Sequence, residues 1–179
     1  IGSLISFFKN RFIKINNKWS GFLLTLFVCS ISSVILIILL YLFSFNIIIF
    51  YLIFTIILSS TFSIKMLLDT AKNIEKDLKE DINKARQNVS YLVSRNTDEL
   101  TESFIVSATI ESLSENITDS YISPVFYFMI LSILGIFIHS YNFLFILLLI
   151  PFNYRIFNTL DAMVGYKTDE LINIGFVPA

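Results

Sequence analysis

Glu111 and Glu115 stand four residues apart in the stretch Ile110-Glu111-Ser112-Leu113-Ser114-Glu115-Asn116-Ile117-Thr118-Asp119, which on a helix places both on one face beside Ser112 and Asn116. Like charges at that spacing repel by roughly 0.2–0.5 kcal/mol on an isolated helix, so the pair calls for a cation or a cationic ligand. The alternative is a solvated helix end. A second polar cluster, Tyr154-Arg155-Ile156-Phe157-Asn158-Thr159-Leu160-Asp161, follows the apolar run 124–153 that the first cluster enters. Arg155, Asn158 and Asp161 recur every third residue, along one side of a helix. The alternative there is an ordinary helix start with a boundary arginine. Together these side chains suit a phosphate held by Mg²⁺: carboxylates and amide oxygens take the metal, and Arg takes phosphate oxygens.

Other chemistries are set aside by the same residues. The chain has no Walker-type phosphate loop and no Cys/His metal cluster, and its one histidine, His139, lies in an apolar run where a structural role is expected. A histidine-based triad is therefore excluded within these residues. The single Cys29 cannot form an intrachain disulfide and reads as a packing residue.

The elements that must position these groups are membrane helices. The 179 residues are 55% hydrophobic, with 19 Phe and only 15% charged residues, against about 25% charged in a soluble domain. Mean hydropathy is +0.75. Residues 1–20 carry Lys9, Arg11, Lys14 and Lys18 without an acid, and 65–123 carry seven basic and eleven acidic residues; a nucleic-acid partner is not indicated. The reading is one all-α, polytopic membrane domain, an internal segment of a longer chain. In 1–20, Leu4, Ile5, Phe8, Phe12 and Ile15 share one side, which predicts an interfacial helix with Trp19 at headgroup level; the alternative is an amphipathic helix packed on the rest of the fold. Residues 21–43 are uncharged and long enough to cross the bilayer, Ser44-Phe45-Asn46 turn, and 47–64 return, a transmembrane hairpin over 21–64. The flanking cations put both its ends in the cytoplasm. Over 65–123 cytoplasmic helices are expected: one long helix with the seam Ile74, Leu78, Ile82, Ala85, Val89, Leu92 and pairs such as Glu80 to Lys84, then a helix capped by Thr97 or Thr101, then a turn over 116–123. Residues 124–153 either cross once or form a re-entrant hairpin, with arms 125–138 and 143–152 each too short to span and a turn at His139-Ser140-Tyr141-Asn142. The re-entrant form is the expectation, since a single crossing would separate the two polar clusters. The motif-bearing helix and tail follow over 154–179.

Taken in order, Ala85-Arg86, Leu92-Val93-Ser94-Arg95-Asn96-Thr97, Ile110-Glu111-Ser112-Leu113-Ser114-Glu115-Asn116, Asp119, Pro124, Tyr154-Arg155 and Asn158-Thr159-Leu160-Asp161-Ala162-Met163-Val164-Gly165-Tyr166-Lys167 resemble the CobD/CbiB family of cobalamin biosynthesis, the adenosylcobinamide-phosphate synthases. The resemblance runs from about 68 to 176. It implies a multispanning enzyme of the cell membrane, its site facing the cytoplasm, that uses ATP and Mg²⁺ to join adenosylcobyric acid to aminopropanol or its phosphate. Other corrinoid-pathway membrane proteins are implied as neighbours. In that light Glu111, Glu115 and Asp161 are the candidate catalytic groups, and with Asp119 the candidate metal ligands or ammonium holders. Arg95, Arg155, Asn116, Asn158 and Thr159 are the candidate substrate- and phosphate-binding groups.

The chain departs from the family pattern at Ser94-Arg95-Asn96-Thr97, where Gly-Arg-Asp-Thr is usual, and at Ser120, where Gly is usual. Asn96 offers a metal an oxygen but no charge. A related family of ampicillin-resistance regulators is the non-catalytic alternative, and it should lack the complete Asn-Thr-Leu-Asp-x-Met-Val-Gly-Tyr block found here. A membrane alcohol- or prenyl-transferase would want repeated D-x-x-x-D motifs, and the chain carries that spacing once, at Asp77 and Asp81, without a repeat.

Overall fold

The computed structural model describes residues 1–15, 17–62, 64–93, 96–138, 140, 142–166 and 168–178, and all regular structure among them is helical. Four segments, Lys18–Leu42, Ile47–Glu80, Glu102–Ile138 and Phe143–Val164, are long and apolar enough to cross a bilayer. The chain divides into two compact units, Ile1–Thr61 with Pro124–Ala179, and Phe62–Ser123.

The first unit is built from α1 (Gly2–Phe12), α2 (Lys18–Leu42), α3 (Ile47–Ser60), α7 (Ser123–Ile138) and α8 (Phe143–Val164). Asn17 and Ser20 form a reciprocal capping box that starts α2, satisfying backbone donors that a helix start leaves open. Asn46 does the same for α3, accepting from Ile48 N–H at 3.0 Å and Ile49 N–H at 3.2 Å, so the turn at 44–46 falls where expected. On α2 the buried positions Gly21, Leu24, Thr25, Val28, Ser32, Leu36 and Leu40 form one seam of small and apolar residues. Such a seam lets helices approach closely where lipid gives no hydrophobic drive between them. One end of it meets Ile5 of α1, Ile156, Leu160 and Val164 of α8, and Ile174; the other meets Phe50 and Phe54 of α3 and Leu147 and Leu148 of α8.

The first helix packs on protein: Ile5 is fully buried, and Phe8 and Phe12 stack on Phe27 of α2 at 5.8 and 6.2 Å. Its apolar side fits the α2 seam. Trp19 is exposed in the first turn of α2. One expectation changes, in the arms of the hairpin after residue 124. The chain does reverse between Ile138 and Phe143, and Tyr127 meets Tyr154 at 5.4 Å while Gly135 lies against Phe143, so α7 and α8 run antiparallel. The second arm, however, does not stop at residue 152. It continues through Pro151 to Val164, because Leu148, Pro151, Ile156, Leu160 and Val164 extend one buried stripe. It is therefore long enough to cross rather than too short. The expected turn residues His139 and Tyr141 lie outside the described residues.

The tail after α8 folds back on its own unit. Backbone carbonyls of Asn173 and Ile174 approach Gly21 so closely that a Cβ there would lie 2.8 and 2.6 Å from their oxygens. Gly175 sits against the Val164 carbonyl, and Lys18 Nζ lies 4.4 Å from the Phe176 ring centroid. Gly175→Ala is expected to cost about 1–3 kcal/mol, since its Cβ meets backbone that must shift. Thermal unfolding of the detergent-solubilised full-length protein measures it, and an unchanged midpoint would show the tail packing to be dispensable.

The second unit holds α4 (Lys65–Glu80), α5 (Ile82–Ser90) and α6 (Glu102–Ile117), followed by a π-helical turn, Thr118–Ile122. The single long helix expected from residue 66 is two helices. Asp81 leaves helical geometry (φ −158°, ψ 112°) and its carboxylate accepts from Asn83 N–H at 2.9 Å, capping α5. Asp77 and Asn88, on either side of this break, are hydrogen-bonded, so the helices double back. Doubling back lets Ile74, Ala85 and Val89 close on Ile105 and Ala108 of α6, whereas a straight helix would leave that seam without a partner. The ion pairs described are Glu75–Lys79 at 2.8 Å and Lys76–Glu80 at 3.8 Å; Glu80 and Lys84 are separated by the break. Thr101 is the N-cap of α6 by position, but its hydroxyl meets Ser103 Oγ at 3.1 Å and makes no capping bond to the backbone. The expected turn over 116–123 is also helical, because a π turn takes up an extra residue without ending the helix.

Candidate functional site

In the first unit the candidate groups lie on the last turns of α8. Ile156, Leu160 and Val164 are fully buried, and this anchors one face of the helix and presents the other. On the presented side Arg155 Nη1 donates to Asn158 Oδ1 at 3.1 Å. Thr159 Oγ1 donates to the Arg155 carbonyl at 2.7 Å, so its hydroxyl hydrogen is used inside the helix and its lone pairs are what it offers a ligand. Asp161 is exposed, and its carboxylate lies over Gly165, where a Cβ would also come within 2.7 Å of the Asp161 carbonyl oxygen. Glycine at 165 thus leaves room for that acid. An acid in the last turn of a helix opposes the helix dipole by about 0.3–1 kcal/mol, so the Asp161 charge does not stabilise this helix end. About two turns before Asp161, Asn153 and Ser33 of α2 exchange hydrogen bonds at 2.9–3.1 Å and line an open cleft of about 380 Å³ with Tyr127, Tyr154 and Phe157.

In the second unit Glu111 and Glu115 are exposed one turn apart on α6, as their spacing predicts. Ser112 between them is buried and donates to the Leu92 carbonyl at 3.1 Å, fixing the helix against the chain just after α5. Asn116 Nδ2 donates to the Ser112 carbonyl at 2.8 Å and to its Oγ at 3.2 Å, which leaves the amide oxygen as the group to meet a ligand. Asp119, half-buried, lies in the π turn, a feature frequent at functional sites. Arg95 and Ser94 lie outside the described residues. Asn96 Oδ1 accepts from Asp98 N–H at 2.9 Å, a bond that an aspartate would keep. Arg86 holds the same loop through the Leu100 carbonyl at 2.9 Å, and Ala85 is core; both are structural.

Among the described residues no group of three or more His, Cys, Asp or Glu side chains gathers closely enough to hold a metal alone. Mg²⁺ asks less, since one or two carboxylates, waters and substrate phosphates complete its shell. The exposed Glu111–Glu115 pair with the Asn116 oxygen fits that demand. Sequence reasoning missed several supporting residues: Lys9, whose Nζ donates to the Met163 carbonyl at 3.1 Å, Ser33 opposite Asn153, and the glycines 21, 165 and 175. Small residues flanking polar ones were the available signal.

These features define a polytopic helical membrane protein with charged and amide side chains clustered on α6 and on the C-terminal turns of α8. The chain belongs to the CobD/Cbib protein family, whose model matches residues 1–179. It is 46% identical over 125 residues to a "Probable cobalamin biosynthesis protein CobD" of Methanothermobacter thermautotrophicus, covering 70% of this chain and 37% of that protein. Proteins of the same description from Methanocaldococcus jannaschii and Thermoplasma volcanium are 35% and 33% identical, with 100% and 97% of this chain and 56% and 53% of theirs covered. The chain thus spans about half the length, or less, of these curated relatives. No solved structure matches it.

Proposed function

We propose that the protein acts in cobalamin biosynthesis as a membrane ligase, forming the amide between the free propionate of adenosylcobyric acid and the amine of aminopropanol or its phosphate. The observation that carries this reading is the family match along the whole chain, which includes the polar face of α8. A carboxylate is a poor electrophile, so the γ-phosphoryl of ATP is first transferred to a propionate oxygen, releasing ADP. The amine nitrogen then attacks the acyl carbon, the C–O bond to phosphate breaks, and the amine gives up a proton. Mg²⁺, when bound, neutralises phosphate charge.

This chain's residues bind and orient the reactants. Arg155, held by Asn158, and Arg95 take phosphate oxygens; Asn116, Asn158 and Thr159 fix orientation; Glu111, Glu115, Asp119 and Asp161 are the groups that would hold the metal, and Asp161 also holds the ammonium and accepts its proton. The ATP used is cytoplasmic, so the site faces the cytoplasmic side of the plasma membrane, where corrinoid-pathway membrane proteins are the expected neighbours. The full-length gene is expected to restore corrinoid-dependent growth to a host lacking adenosylcobinamide-phosphate synthase. Failure of a well-expressed, membrane-inserted product to do so would overturn the reading.

A further inference from the structure

The C-terminal turn of α8 has an electrostatic problem that its own sequence does not solve. It carries Asp161 at the negative end of the helix dipole and contains no basic residue. A cation arrives from 154 positions away: Lys9 Nζ, half-buried on α1, donates to the Met163 carbonyl at 3.1 Å. Its reach is set by packing, because Ile5 of α1 shares one buried apolar cluster with Ile156, Leu160 and Val164 of α8, and Leu4, Phe8 and Phe12 pack against that cluster. The same turn is held by Gly165 N–H, which donates to the Asp161 carbonyl at 2.7 Å, and by the close approach of Gly175 to the Val164 carbonyl.

We propose that Lys9 is a positioning residue for the Asp161 end of α8: its ammonium caps the Met163 carbonyl and offsets the charge of the acid that the helix end carries. The catalytic consequence rests on the amidation reading, while the positioning itself does not. Lys9 touches no substrate in this scheme. It closes the last turn, and so fixes where the Asp161 carboxylate stands over Gly165.

The test uses the full-length protein in vesicles with its native cysteines, Cys29 included, replaced by serine. Val164→Cys reports opening of the turn, and Leu40→Cys, equally buried but in the other apolar cluster, reports general loosening. Adding Lys9→Met is expected to raise the rate of thiol labelling at position 164 about ten-fold, the loss of a charge-assisted hydrogen bond, and to leave position 40 unchanged. Lys9→Arg should return position 164 to the parent rate. Parent-rate labelling with Lys9→Met, or an equal rise at both positions, overturns the proposal. In the chain with native Val164, Lys9→Met should lower kcat for amidation about ten-fold, with KM for ATP little changed. A parent protein without amidation would overturn the functional reading, and the labelling would still decide the role of Lys9.

Discussion

Asp161→Asn is expected to lower corrinoid amidation by the full-length protein about 100-fold or more, the scale on which removal of one preorganised charge slows an enzyme, while leaving the fold intact or slightly firmer. Asp161 is exposed and sits where its charge opposes the α8 dipole, so neutralising it opens no cavity and removes an unfavourable interaction. A residue that gains stability and loses activity on neutralisation is one retained for function. Glu111→Gln and Glu115→Gln should lose activity on the same scale with unchanged thermal midpoints, since both carboxylates are exposed on α6 and Gln keeps their shape. Turnover near that of the parent in these variants would show that the charges serve neither metal nor ammonium. Lost activity accompanied by a lowered midpoint would assign them to the fold instead.

The elements were legible where a sequence feature has one physical outcome. Uncharged runs of membrane length predicted α2 and α3 within a few residues, and the asparagines ahead of them, Asn17 and Asn46, cap the two helices in the structure. The break at Asp81 was missed because neither Gly nor Pro marks it. The signal was the Asp itself, an N-cap residue ahead of a second stretch of the same apolar seam. The second arm was expected to stop at residue 152, but α8 runs on through Pro151, carried by the buried stripe on either side of it. Polar residues over 116–123 read as a turn because a π turn has no distinctive composition.

The candidate site was legible in its chemistry and not in its support. The spacing of Glu111 and Glu115, and of Arg155 and Asn158, follows from helical geometry, and the contacts within each pair's helix agree with it. Lys9 acts across 154 positions, and no local pattern encodes a partner that distant. Ser112 looked like a neighbour of the acids and is a buried brace to the Leu92 carbonyl. Gly165 belonged to a recognisable block, yet its use, clearance for the Asp161 carboxylate, depends on coordinates.

Topology carries the other large expected effect, because the proposed reaction needs Asn116 and Asn158 to face one compartment. The antiparallel course of α7 and α8, fixed by Tyr127 against Tyr154 and Gly135 against Phe143, brings the chain back after residue 142 toward the level at which α7 began. With the second arm, Phe143–Val164, long enough to cross, the reversal near Ser140 is expected on the far side of the bilayer. In a Cys29→Ser background of the full-length protein, Asn116→Cys and Asn158→Cys should react with an impermeant thiol reagent from the cytoplasmic face of sealed vesicles only, and Ser140→Cys from the opposite face only. Reaction of Ser140→Cys from the cytoplasmic face would make the hairpin re-entrant and leave the common compartment of positions 116 and 158 intact. Reaction of positions 116 and 158 from opposite faces would put the α6 carboxylates and Arg155 on different sides of the membrane, where no single ATP-dependent reaction could use both.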